Sequence, residues 1–111
     1  MAYSTALRDA CDPCLRPMED VSARAMFGGH CYLVRGRMFV ILSGERLMIR
    51  PGPGDGRALV ERFGGEPWTP RPGMKFGAWI AVPCPGDAFE FVEGLAPFLE
   101  NACEARRRDA R

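Results

Sequence analysis

The amino-acid sequence predicts a two-layer α+β protein, with helices packed on an antiparallel sheet of about four or five strands. Glycine turns join three consecutive strand-like segments, helical patterns lie at both ends of the chain, and a helix and a strand lie between. The predicted order is therefore α-β-β-β-α-β-α. With 111 residues and 47% hydrophobic side chains, the chain suits one compact domain spanning residues 1–111.

The first segment, residues 3–18, carries apolar side chains at three- and four-residue steps, which is typical of a helix with one buried face. Ser4 suits the N-cap position. Pro13 disagrees with this pattern, since a proline inside a helix removes one backbone hydrogen bond. Alternatively, Asp12 caps a new helical turn that begins at Pro13. We expect the helix to break near residues 12–13 or at Pro17.

Three strand-like runs follow the paired glycines Gly28 and Gly29, and they cover residues 30–35, 38–43 and 46–50. Short glycine-containing turns between them predict an antiparallel meander. The middle run is apolar on both faces, which is typical of a central strand covered on both sides. In so small a protein, we expect the second cover to be a helix or another copy of the chain.

The second half of the chain is predicted to contain a helix at 55–63, an irregular connection at 66–73, a strand at 74–82 and a helix from residue 87. Pro97 lies inside the last helical pattern, so we expect that helix to kink or split. The chain becomes polar from about residue 104, and we expect this tail to fray into solvent.

Charge and composition argue against several classes of function. The net charge is +1, from 15 basic and 14 acidic residues, whereas phosphate-dominated nucleic-acid binding normally needs a clear positive excess. No apolar run approaches the roughly 20 residues of a membrane span, and no secretory signal is visible. Five cysteines without an export signal predict reduced thiols in the cytoplasm. We therefore expect neither membrane association nor direct nucleic-acid binding.

Cys11 and Cys14 form a C-x-P-C motif, the one local pattern with its own chemistry. Two thiols at this spacing can form a disulfide or donate two thiolates to a metal. Redox motifs of this kind follow a strand, whereas the residues before Cys11 predict a helix, and a metal needs about two further ligands. We interpret both cysteines as buried apolar side chains, expect no metal or cofactor, and keep thiol redox or metal binding as the alternative function.

The remaining chemically active side chains suggest no catalytic set. His30 is the only histidine, and no serine or acid lies at a spacing that indicates a partner. Arginines cluster around the meander and at the end of the chain, namely Arg35, Arg37, Arg46, Arg50, Arg106, Arg107 and Arg108. Either group could meet an acidic partner, but solvated strand ends and a helix C-terminus explain them as well. We therefore predict that the protein is not an enzyme.

Several segments in order resemble the N-terminal domain of the TfoX/Sxy family of competence regulators, from about residue 3 to residue 104. The most specific segment is Met26-Phe27-Gly28-Gly29. Later parts of the resemblance are the dipeptide Met74-Lys75 and the strand that begins near Trp79.

This resemblance implies a two-layer fold with an antiparallel sheet, a link to natural competence in bacteria, and no catalytic residues. Regulators of the family carry a second, helical domain, and this chain stops where that domain would begin, so we do not carry over a role in transcription. The expectation is a stand-alone interaction module without cofactors. We expect it to form a homodimer through the sheet or the C-terminal helix and to serve a protein partner that the sequence does not identify.

Overall fold

The computed structural model describes residues 3–26, 28–69 and 79–109. Within them lie helices α1 (Thr5–Leu15), α2 (Gly56–Phe63) and α3 (Ala88–Asp109), and strands β1 (Val21–Met26), β2 (Gly29–Val34), β3 (Arg37–Ser43), β4 (Arg46–Ile49), β5 (Glu66–Trp68) and β6 (Trp79–Pro83). The strands form one antiparallel sheet in the order β1-β2-β3-β4-β6-β5. The predicted α+β class is confirmed, with six strands in these residues instead of about four or five.

Helix α1 begins as predicted, because the Ser4 hydroxyl accepts a hydrogen bond from the backbone N–H of Leu7 at 3.2 Å. The predicted break at residues 12–13 is wrong, since Pro13 lies inside the helix. Proline removes a single backbone bond, and α1 ends soon afterwards at Leu15, ahead of Pro17. The side chains of Cys11 and Leu15 are fully buried on either side of the proline, which holds this last turn in place.

Two strands were missed by the sequence prediction. Strand β1 pairs with β2 in a tight hairpin, although the sequence predicts no strand before residue 30. Strand β5 occupies residues that were predicted to be irregular, and it tolerates Pro67 because it lies at the edge of the sheet. The strand predicted at residues 74–82 appears as β6 from Trp79 onward, and residues 74–78 lie outside the described part of the chain.

The helices pack on one face of the sheet. The larger core cluster joins buried residues of α1, α2 and α3, such as Leu7, Leu59 and Leu95, to alternate residues of the strands. The opposite face carries a second buried cluster, to which only strands contribute in the described ranges: Cys31, Leu33, Ile41, Met48, Trp79 and Ala81. Strand β3 is therefore central and buried on both faces, as predicted. Because both faces are buried within one chain, covering β3 does not require a second copy.

Helix α3 differs from its prediction in two respects. It continues through Pro97 to Asp109, so the predicted split and the frayed tail from about residue 104 are both wrong. Buried residues such as Leu95 and Leu99 flank the proline and hold the helix on the sheet, which offsets one missing backbone bond. The tail is fixed by side-chain hydrogen bonds from Arg106 Nε to the Met38 carbonyl at 2.9 Å and from Arg107 Nη2 to the Glu19 carbonyl at 2.7 Å.

Candidate functional site

The glycines of the Met26–Gly29 segment shape the β1–β2 hairpin. Gly28 has φ of 72°, in the left-handed region that glycine adopts most readily. A Cβ atom on Gly29 would overlap the backbone carbonyl oxygen of Leu42 on β3. Gly29 is therefore needed for the close approach of two strands, and Gly28 favours the left-handed turn between them. Phe27, the fourth residue of the segment, lies outside the described residues.

Trp79 begins β6 and is almost fully buried in the second core cluster. Its ring meets the Trp68 ring of β5 edge to face, with centroids 6.1 Å apart. The pair joins the last two strands of the sheet, so Trp79 has a packing role. Met74 and Lys75, the other residues singled out from the second half of the chain, lie outside the described residues.

The two thiols of the C-x-P-C motif lie in the second half of α1, and all five cysteines are free. Burial raises the pKa of Cys11 from 9.0 to about 12, and the neighbouring Cys14 adds to this shift. Burial also raises the pKa of Cys14, which is only partly buried. Both thiols are therefore protonated near neutral pH, whereas redox exchange and metal ligation both use the thiolate. In the described ranges, no group of three or more His, Cys, Asp or Glu side chains is arranged to hold a metal.

Asp12, between the two cysteines, belongs to a polar cluster where α1 meets β2. The Tyr32 hydroxyl donates a hydrogen bond to Asp12 Oδ1, and His30 Nε2 lies 3.7 Å from the same oxygen. The His30 ring stacks on Tyr3 at 5.4 Å between centroids and meets the Tyr32 ring edge to face at 5.0 Å. Arg8 Nη1 donates a hydrogen bond to the Tyr3 hydroxyl at 3.3 Å, which adds Arg8 to the cluster.

The contacts of this cluster join α1 to β2. Burial, followed by the hydrogen bond to Asp12, raises the pKa of Tyr32, so the phenol stays protonated and acts as a donor. His30 Nε2 is buried and makes no hydrogen bond to the described residues. The contacts of His30 recorded above are to Asp12, Tyr3 and Tyr32, and none of these pairs a base with an activated serine or cysteine. The cluster fastens α1 to the sheet.

One arginine of the meander group lies beside arginines of the C-terminal group. Arg35 is paired with Asp20 at 3.0 Å, and Arg46 lies 3.9 Å from Glu66, so two of the meander arginines form ion pairs. Arg50, however, lines a pocket together with Arg106 and Arg108 from the end of α3. Sequence analysis missed this pocket because its two walls are more than fifty residues apart in the chain.

Strand β1 presents an open edge of the sheet. The Val21 N–H donates to the Met18 carbonyl at 3.2 Å, so it points away from β2. Alternation along an antiparallel ladder then turns the N–H and C=O groups of Ala23 and Ala25 to the same outer side. No backbone group of the described chain bonds to them there. The opposite edge, β5, has three residues including Pro67, which makes β1 the longer open edge.

Comparison with known proteins gives one family. The sequence model of the TfoX N-terminal domain matches residues 14–105, which is most of the chain. The match includes Met26–Gly29, Met74, Lys75 and Trp79, and it begins at Cys14, so Cys11 lies outside it. No curated protein matches the chain significantly. In the part of the chain that the structure describes, no helix has the length and apolar character needed to cross a membrane.

Proposed function

Because the chain belongs to the TfoX N-terminal domain family, which is similar to competence regulators, we propose that it is a non-enzymatic interaction module that self-associates through β1. The observation that carries this proposal is the open edge of β1, where the outward backbone groups of Ala23 and Ala25 have no backbone partner among the described residues. Natural proteins usually protect such edges with proline, with several charges or by making them short. Strand β1 has six residues, no proline and a single charged side chain, Arg24.

The pairing follows from symmetry. Two copies related by a two-fold axis present the same edge to each other, and an antiparallel β1–β1 ladder satisfies their outward N–H and C=O groups. A ladder centred on Ala23 pairs each Val21 with Ala25 of the second copy. It places Arg24 opposite Ser22, whereas a ladder centred on Arg24 would set two like charges directly opposite each other. The proposal therefore favours the register centred on Ala23.

Other surfaces of the described fold compete with β1 for self-association. Phe89, near the start of α3, is a large hydrophobic side chain with 58% of its surface exposed. The strand face opposite the helices is a weaker candidate, because Ile41 and Met48 are already buried there within one chain. The edge of β1 is favoured over Phe89 because several backbone groups at the edge lack partners in the described chain, whereas a single exposed side chain is common.

The experiment measures the molar mass by sedimentation and light scattering over a wide range of protein concentration. Ala25→Pro removes an outward N–H without removing a bond to β2, and we expect it to abolish the dimer while leaving the circular dichroism spectrum unchanged. Ala25→Ser is the matched control, because serine keeps the N–H. Loss of the dimer in Phe89→Ser but not in Ala25→Pro would refute pairing through the edge of β1. A wild-type protein that is monomeric at all concentrations would refute self-association.

The non-enzymatic part of the proposal is supported by the protonated state of the two motif thiols and by the structural role of His30. We place the module in the bacterial cytoplasm, where free cysteines stay reduced. We also expect no membrane association and no direct nucleic-acid binding, with an unidentified protein as the further partner. A free-thiol count with metal analysis on anaerobically purified protein tests this, and we expect five thiols and no metal. Stoichiometric metal, or a reversible disulfide lost in Cys14→Ser, would instead support the thiol-based function.

A further inference from the structure

A pocket of about 380 Å³ lies between the loop after β4 and the last turn of α3. Its charged lining consists of the side chains of Arg50, Arg106, Arg108 and Asp109. Pro51, Pro53 and Ala105 complete the wall. Since proline has a fixed φ, Pro51 and Pro53 reduce the number of conformations open to the loop side of the pocket, which lowers the ordering cost of binding.

Arg106 is held firmly at the base of this pocket. Its side chain is mostly buried, its Nε donates to the Met38 carbonyl at 2.9 Å, and its Nη1 lies 3.5 Å from Asp109 Oδ2. These contacts fix the plane of the guanidinium group in a way that surface arginines rarely achieve. The pocket therefore contains a pre-oriented donor, and the side chains of Arg50 and Arg108 line the same pocket.

The pocket has an excess of positive charge. Three guanidinium groups face one carboxylate, which leaves a formal charge of +2 in the lining. Arg108 is weakly paired with Glu104 at 3.8 Å, and Arg50 has no ion-pair partner among the residues described. Burial lowers the pKa of Arg106, and the positive charges of Arg50 and Arg37 lower it further. An anion in the pocket would relieve this repulsion.

We propose that this pocket binds the phosphate group of a small phosphorylated molecule. Guanidinium groups match phosphate oxygens in paired, parallel hydrogen bonds, and three arginines line this pocket. A phosphomonoester carries nearly two negative charges at neutral pH, which balances the lining. None of the described residues that line the pocket is aromatic, so recognition is centred on the phosphate, and the rest of the ligand extends toward solvent.

A nucleic-acid backbone fits this pocket less well. Phosphodiesters carry one charge each along an extended strand, and binding them normally needs a row of basic side chains. The whole chain has a net charge of only +1, and Asp109 lies in the pocket itself. A single, local cluster of positive charge therefore favours a terminal phosphate over a polymer.

The test is a calorimetric and NMR titration of the full chain with pyrophosphate and inorganic phosphate at constant ionic strength. We expect saturable binding that Arg50→Gln and Arg108→Gln each weaken about tenfold, since a charge-assisted hydrogen bond contributes on this scale. Arg57→Gln is the matched control, because Arg57 is exposed on α2 and paired with Glu61 at 2.9 Å outside the pocket. Both pocket variants should keep the wild-type circular dichroism spectrum.

Two results would overturn the proposal. One is the absence of phosphate and pyrophosphate binding, or binding that Arg57→Gln weakens as much as Arg50→Gln does. In the second case the affinity would depend on the net charge of the protein and not on the pocket. The other is tight, salt-sensitive binding of a duplex oligonucleotide without saturable pyrophosphate binding, which would identify a nucleic-acid surface instead.

Discussion

Raising the pH above 9 should destabilise this protein through its buried thiols, and Cys11 offers the sharpest case. The folded chain holds the Cys11 proton up to a pKa of about 12, whereas an exposed thiol releases it near 9.0. Between these values the unfolded chain binds fewer protons than the folded chain, so the free energy of unfolding falls as the pH rises. The stabilisation from the buried thiol is complete below pH 9 and is lost toward pH 12.

The size of this pH effect on the free energy of unfolding follows from the one proton that the Cys11 thiol binds or releases. A single thiol contributes a slope of about 1.4 kcal/mol per pH unit within this window. Burial raises the pKa of Cys31 to about 11, so Cys31 adds a similar slope over a narrower range. Cys11→Ala should therefore remove about 1.4 kcal/mol per pH unit from the wild-type slope near pH 10. It should also lower the stability at pH 7, because it deletes a buried atom.

The assay is urea denaturation at a series of pH values from neutral to about pH 10.5, with the free energy of unfolding plotted against pH. Val92→Ala is the control, since it removes buried volume from the same core cluster without removing a thiol. We expect that control to be less stable at every pH, with the wild-type slope. Equal slopes for Cys11→Ala and the wild type would refute the claim that Cys11 is buried in the folded chain.

Two further predictions concern stability at neutral pH, both measured by urea denaturation. Gly29→Ala should lose about 1–3 kcal/mol, since its Cβ would collide with the Leu42 backbone. Gly86→Ala is the control, because nothing lies within 4 Å of its added Cβ, and equal losses would contradict the close approach. Tyr32→Phe should lose about 1 kcal/mol, because Asp12 loses a donor but is exposed enough to bind water. An unchanged urea midpoint in Tyr32→Phe would show that the hydrogen bond from Tyr32 to Asp12 contributes nothing to stability.

The meander was predictable because its information is local. Glycine turns such as Gly36, with φ of 81°, and Gly44, with φ of 60°, punctuate runs of apolar residues whose length suits strands. Strand β1 escaped prediction because an edge strand needs few apolar residues, and Ser22 and Arg24 are exposed on it. Its pairing with β2 is decided by tertiary contact, which overrides the weak local preference.

The candidate sites were less predictable than the fold because they join distant parts of the chain. Asp12 and Tyr32 are twenty residues apart, and only the packing of α1 on β2 brings their side chains together. Arg50 and Arg106 were each noticed as members of charged groups, but periodicity gives no information about how a loop and a helix end meet. Pro97 misled the prediction because one lost backbone bond is outweighed by burial along a long helix.

The hydrogen bonds that hold the end of α3 determine how late in synthesis the chain can finish folding. The hydrogen bonds of Arg106 and Arg107 span 68 and 88 residues of sequence, and both reach groups near the first half of the sheet. A ribosome must therefore release nearly the whole described chain before these contacts can close. Until then the apolar side chains that α3 covers, among them Val34 and Leu42, stay exposed in the nascent chain. The contacts at the end of α3 therefore form only after the sheet residues that they reach have been synthesised.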